Sequence, residues 1–348
     1  MSLKALLGGA MIGSASGVLL LLTGNIMGAS GIASSALLKP TQLLTDQSQH
    51  WKLVFLASFL LTTNVFFSVP FDRSDPAAAT LSPLGYGLAG LFVGFGTKLS
   101  NGCTSGHGIC GLARLSKRSM AAVATFMASA VATTYLTQVS PLLTKFTSVL
   151  QVEAAQQTHS QPLLGVASAL TLLSVVASAV APWFRQKKDE NGQARILPAI
   201  ASGSMFASGL YIGQMVYQSR VLGFLNLAGM TDGSWDPTLV FVMGGGVMVS
   251  LLSYQFLEGY RITRSTTPVK HPLALKPDAP FCIPTNTHID AQLILGSVAF
   301  GIGWGLGGIC PGPGIFLAGA GVQNVILHWW PSYFVGTYIA NEIQNQQS

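Results

Sequence analysis

Nine stretches of the chain are apolar with few interruptions, near residues 5–24, 52–70, 82–100, 119–140, 162–184, 196–217, 237–257, 291–310 and 322–341. A bilayer core about 30 Å thick is crossed by roughly 20 such residues in an α-helix, so each stretch predicts a spanning helix. Shorter Gly-rich apolar pieces follow several of them, at 26–38, 102–115, 221–230 and 312–322. These are too short to span and too apolar for ordinary loops. Lipid offers the backbone no hydrogen-bond partner, so non-helical chain at that depth must be buried in protein or line a cavity. The pieces therefore predict re-entrant segments or broken helices around a polar path. The expected fold is an all-α integral membrane protein, a polytopic helical bundle.

The polar interruptions orient that bundle. Arg114, Lys117 and Arg118 form one basic cluster, Arg185, Lys187, Lys188 and Arg195 a second, and Arg261, Arg264, Lys270 and Lys276 a third. Two predicted spans separate each cluster from the next, and the positive-inside rule places all three in the cytoplasm. Counting spans from there puts the N-terminus outside and the C-terminus inside.

The glycine pattern repeats. Gly94-Phe95-Gly96 is followed seven residues later by Cys103, and Gly301-Ile302-Gly303 at the same distance by Cys310; Ala15-Ser16-Gly17 reappears as Ala207-Ser208-Gly209. The matches predict one transmembrane domain, 1–348, with a first repeat at 1–140, a connecting span and cytoplasmic loop at 141–195, and a second repeat at 196–348. Five spans precede the second copy, so the repeats are expected to be inverted and pseudo-symmetric. Such an arrangement brings Cys103 and Cys310 towards a common midplane site.

Composition narrows the class. Only 9% of residues are Asp, Glu, Lys or Arg, too few to clothe a water-soluble surface of 348 residues. A mean hydropathy of +0.50 and 39 glycines agree, since small residues let helices approach closely in lipid. The net charge of +6 lies in short loop clusters, which argues against nucleic acid as a partner. The first apolar run, with its recurring glycine pattern, reads as a spanning helix and not as a cleaved signal peptide. Four cysteines without paired CxxC spacing indicate neither a disulfide scaffold nor a zinc site. No Walker A loop is present, and no cofactor is indicated.

The chemistry concentrates at the two breaks. Residues 101–111, NGCTSGHGICG, place Cys103, Ser105, His107 and Cys110 among Gly102, Gly106, Gly108 and Gly111. Polar side chains at membrane depth are costly and mark functional sites. Glycine-freed N–H groups and the positive end of a following half-helix suit an anion. In the second half, Cys310 precedes Pro311, Gly312, Pro313 and Gly314, where the prolines forbid a continuous helix. Thiols are weak donors and polarizable acceptors, which favours a reduced sulfur species over sulfate or phosphate. Cys110 is as readily a small buried hydrophobe as a ligand group, and Cys282 more readily a bystander. Lys98, in an otherwise uncharged span, either draws a dianion or snorkels to the interface. His107 bonds the ligand, Cys103 or neighbouring carbonyls. A Cys–His hydrolase lacks a third orienting group here.

NGCTSGHGICGLARLSKRS together with GIGWGLGGICPGPG resembles the paired signatures of the YeeE/YedE sulphur-transport family, over nearly the whole chain. The resemblance implies a plasma or bacterial inner membrane transporter, not an enzyme. It also implies a pinched bundle of long and short helices, in which thiosulfate passes a constriction lined by cysteines, with Cys103 and Cys310 matching the family's. Members of that family also carry a cysteine in the first spanning helix, where this sequence has Ser14 and Ser16. The expected translocation residues are thus Cys103, Cys310, Cys110, Ser105, His107, Lys98, Gly102, Gly106 and Gly312. Expected partners are the lipid bilayer, thiosulfate, and a soluble cytoplasmic sulfur-acceptor protein docking on the basic loops. Two other functions fit the same residues: a transporter or channel for another sulfur or selenium solute, and a membrane sulfur relay in which a cysteine forms a persulfide.

Overall fold

The computed structural model describes residues 2–66, 81–140, 195–257 and 281–347, and these form an all-α bundle with no strand among them. Its helices are α1 (Ser2–Thr23), α2 (Ala29–Leu38), α3 (Pro40–Thr45), α4 (His50–Phe66), α5 (Pro83–Leu99), α6 (Lys117–Val139) and α7 (Ile196–Ile212). They continue with α8 (Gln218–Leu225), α9 (Gly229–Asp232), α10 (Thr238–Gln255), α11 (Ala291–Gly307), α12 (Pro311–Gly319) and α13 (Trp330–Gln347). Two π-helical segments, Thr104–Gly111 and Val325–Trp329, lie before α6 and α13. Eight of the nine apolar stretches are helical over their described residues, the 52–70 stretch as far as Phe66; the ninth, 162–184, lies outside the described residues, as do Arg185, Lys187, Lys188, Arg261, Arg264, Lys270 and Lys276.

Helix starts follow ordinary capping chemistry. Ser82 accepts from Gly85 N at 2.9 Å ahead of Pro83, and Asp290 accepts from Leu293 N at 2.7 Å. Each satisfies an otherwise orphaned donor of a first turn.

Apolar length and apolar outer faces make this a membrane protein. Among the described residues, α1, α6 and α10 are long and apolar enough to cross a bilayer, and α11 with α12 qualifies as one span broken by 41°. Large apolar side chains such as Leu61, Leu295 and Leu327 are exposed along helices, while Ser202, Ser250, Ser297 and Thr337 are buried between them. That distribution suits lipid outside and small polar contacts inside.

The packing recurs with the halves of the chain exchanged. α1 packs along α10 as α7 packs along α4, and α5 along α13 as α11 along α6. Each of these pairs joins one half to the other, and so do two more, α1 with α7 and α5 with α11. In the α5–α11 pair a Cβ on Gly96 would strike Phe300 N and Gly296 O, and one on Gly303 would strike Val93 N and Ala89 O. These are the same contacts shifted by 207 positions, the shift that also carries Cys103 to Cys310. Their order runs oppositely on the two helices, so α5 and α11 are antiparallel. The equivalent Asn101 and Gly308 both adopt positive φ, 60° and 65°, and break the chain after those helices.

One end of the bundle is basic. Arg118 there bonds Asp290 Oδ2 at 2.7 Å and the His288 carbonyl, and Arg195 bonds Ser48 O at 3.1 Å.

Candidate functional site

Short helices start in the middle of this bundle. After α5, Asn101 ends the helix with a positive φ and Cys103 sits in extended conformation as the N-cap of the Thr104–Gly111 π-helix. After α11, Gly308 does the same and Cys310 is the N-cap of α12, with Pro311 at its first position, where a missing N–H costs nothing. The sequence pattern predicts both breaks. It does not predict that Gly106, Gly108 and Gly111 lie within a wide helix whose turns close over five residues.

The two breaks touch. Thr104 Oγ1 donates to Cys310 Sγ at 3.3 Å, and Cys103 Sγ lies 3.2 Å from Ser105 Oγ. Ser105 Oγ in turn accepts from Ala29 N, the first amide of α2, at 3.2 Å. Helix α8 begins beside the second break, where Gln218 Nε2 donates to Gly307 O at 2.6 Å and Tyr86 Oη donates to Gln218 Oε1 at 2.9 Å. Four short helices therefore direct their amino ends at one region from the two halves, and helix amino ends carry partial positive charge.

A cavity of about 40 Å³ adjoins this junction. Thr104, Ser105, Cys310 and Gly312 line it together with Phe206, Leu210, Val242, Met243 and Trp304, and its surface is almost wholly apolar. A Cβ on Gly312 would stand 3.1 Å from the Phe206 ring, so this glycine keeps the Cys310 flank open. Gly106 faces open space.

The remaining predicted residues sit as follows. Cys110 is fully buried; its thiol donates to Met27 O at 3.3 Å, which makes Ser16 the donor across their 3.1 Å contact. His107 uses both ring nitrogens within the fold, Nε2 donating to Ser100 O at 3.1 Å and Nδ1 accepting from Ser119 Oγ at 3.1 Å. Of its three predicted roles, the geometry places it with the neighbouring carbonyl. Gly102 makes room for that ring, since a Cβ there would lie 2.6 Å from Cδ2. Lys98 is half-buried in the last turn of α5, at the basic end, with no ion pair among the described residues. Cys282 is exposed at that end, its amide donating to Gly24 O at 2.8 Å. Among the described residues no three His, Cys, Asp or Glu side chains converge as metal ligands would.

Residues 194–342 match a profile described as a family of unknown function (DUF6691). A probable transporter of Xylella fastidiosa (strain Temecula1 / ATCC 700964) is 38% identical over 133 residues, 38% of this chain and 80% of that protein. Another probable transporter, of Xylella fastidiosa (strain 9a5c), is 44% identical over 130 residues, 37% of this chain and 89% of that protein. Both relatives are thus less than half as long as this chain.

Proposed function

Since this chain belongs to the family of these probable transporters, we propose that it takes up thiosulfate, or a related reduced sulfur anion, through a cysteine-lined central path. The carrying observation is the junction itself, where Cys103 and Cys310 cap short helices of opposite halves and Thr104, next to Cys103 in the chain, donates to Cys310. Helix amino ends attract the negative charge, and polarizable thiols suit a terminal sulfur better than an oxyanion's oxygens do.

In this reading the halves are inverted-topology repeats, which the exchanged contacts and the half-length relatives support. The basic end faces the cytoplasm of a plasma or bacterial inner membrane. The anion enters from the opposite end by way of the apolar cavity, meets Cys310 and Thr104, passes Cys103, and leaves towards the basic end. Lys98 raises the local anion concentration there, and a soluble sulfur acceptor takes the product from the cytoplasmic face. Ser105 holds Cys103 in place, and Gly102, His107 and Cys110 maintain the broken helix around it. Weak, closely spaced contacts let the ion both enter and leave, and no covalent bond to cysteine forms.

The test is uptake of radiolabelled thiosulfate by proteoliposomes containing the purified chain, with unlabelled sulfite, sulfate or selenite as competitors. Saturable uptake, displaced by thiosulfate and barely by sulfate, is expected. Uptake of another solute in its place would reassign the substrate, and a lasting persulfide on Cys103 in mass spectrometry would replace transport by hydrogen bonding with a sulfur relay.

A further inference from the structure

The cavity beside Cys310 lies on one side of the junction. Helix α7 starts at the basic end, where Arg195 bonds Ser48 O, and Phe206 and Leu210 of the cavity wall stand in its last two turns. Helix α11 also starts there, after Asp290, and contributes Trp304 to the wall from its last turn. The cavity is therefore on the side of the junction away from the basic end. With about 40 Å³ and almost no polar surface, it offers an anion nothing to replace its water, and a space of that kind stays dry. A dry apolar constriction blocks ions. This form of the protein is thus closed between the outer end and Cys310, and entry requires a side chain to move.

Phe206 is the aromatic wall residue that reaches the first turn of α12. A Cβ on Gly312, two residues after Cys310, would lie 3.1 and 3.3 Å from two atoms of its ring, so the buried ring stands over bare glycine backbone. Behind it are other rings, Phe59 at 5.7 Å and Phe55 at 6.1 Å between centroids, both on α4. The flank of Cys103 is sealed differently. The 207-residue shift carries Gly312 to Ser105, whose hydroxyl contacts Cys103 Sγ and accepts from Ala29 N. Cys103 is accordingly buried, whereas Cys310 is partly exposed. One thiol is closed off by hydrogen bonds and the other by an apolar ring.

We propose that Phe206 is the outer gate of the path. With its ring on Gly312 the cavity is too small and too dry for an anion; turning the ring away from α12 opens the cavity to the outer end and gives a solute access to Cys310. This rests on the path read above, not on the identity of the solute, and adds the residue that controls entry.

The experiment measures how fast sulfonatoethyl methanethiosulfonate, a membrane-impermeant anion, modifies Cys310 in sealed vesicles of either orientation, with mass spectrometry as the readout. The full chain carries Cys282→Ser, which removes the exposed thiol. Modification is expected to be slow from both sides when Phe206 is present. Phe206→Ala should raise the rate from the outer side about tenfold or more, because the space left by the ring admits water and solute, and should leave the rate from the basic side unchanged. Phe206→Leu should raise it to a smaller extent, and serves if the alanine variant does not fold. Leu19→Ala, an equally buried truncation outside the cavity, should have no effect. An unaltered outer rate in the Phe206 variants overturns the proposal, as does an equal rise from the basic side or in Leu19→Ala. Thiosulfate uptake by the same vesicles separates the two readings. Faster modification in Phe206→Ala of a chain that takes up no thiosulfate keeps the gate and removes the substrate; normal uptake with unaltered modification removes the gate alone.

Discussion

Thr104 Oγ1 and Cys310 Sγ, 206 positions apart in sequence, lie 3.3 Å from one another, and through this bond the first half's π-helix meets the second half's α12. Thr104→Val keeps the volume and removes the donor. Thiosulfate uptake is expected to fall about fivefold, the worth of one ordinary hydrogen bond, at unchanged membrane expression. Undiminished uptake would mean that the two breaks work independently.

The Ser16 hydroxyl of α1 lies 3.1 Å from the Cys110 thiol. In Ser16→Cys, two sulfurs face each other at a separation from which a disulfide can close with small side-chain rotations. Diamide should cross-link them, block uptake, and be reversed by dithiothreitol. The check is loss of two free thiols in mass spectrometry of the oxidised variant relative to its reduced form. An unaltered thiol count would contradict the placement of α1 against the π-helix.

Gly96 and Gly303 press their α-carbons against the opposing backbone in equivalent contacts. Alanine at either position is expected to cost about 1–3 kcal/mol through overpacking. Thermal melts in detergent should show similar losses for both, since the two positions perform one task from opposite halves. A loss at one position alone would show that the correspondence is of sequence only.

Asp290 caps α11 and pairs with Arg118 at 2.7 Å. The hydrogen bond from Arg118 holds its carboxyl below the usual carboxylate range. A lowered folded pKa means that the stabilisation is complete above the unfolded value near 3.8 and disappears as pH falls through the lower folded value. With the Asp290 side chain 41% exposed, the pair contributes under about 1 kcal/mol. Asp290→Asn should flatten the acid limb of melting temperature against pH between about pH 5 and 2. An identical acid limb in the variant would assign it to other carboxylates.

The half-length relatives suggest a further expectation. Residues 1–140 and 141–348 expressed as separate chains should be inactive alone and take up thiosulfate when produced together. Copurification of the two through a tag on one checks their assembly; failure to associate would mean that the connection 141–195 is needed to bring the halves together.

Much of this was readable from sequence for specific reasons. The stretches that became α1, α5, α7 and α11 are long apolar runs, and the GxG spacing before Cys103 and Cys310 marks glycines that fit only where backbones touch. Asn101 and Gly308 announce their turns through residue types that tolerate positive φ. The π-helix at Thr104–Gly111 was not readable, because its glycines suit an unwound segment equally well. The contact of Ser16 with Cys110 spans 94 positions and leaves no local trace.

The most direct test of the central claim is uptake of radiolabelled thiosulfate by cells lacking transporters of their own, comparing wild type with Cys103→Ala and Cys310→Ala at matched membrane expression. The account predicts uptake by wild type that collapses when Cys103 is replaced and is strongly reduced when Cys310 is. Uptake that survives both substitutions would contradict a thiol-lined path, and no uptake by wild type would contradict the substrate.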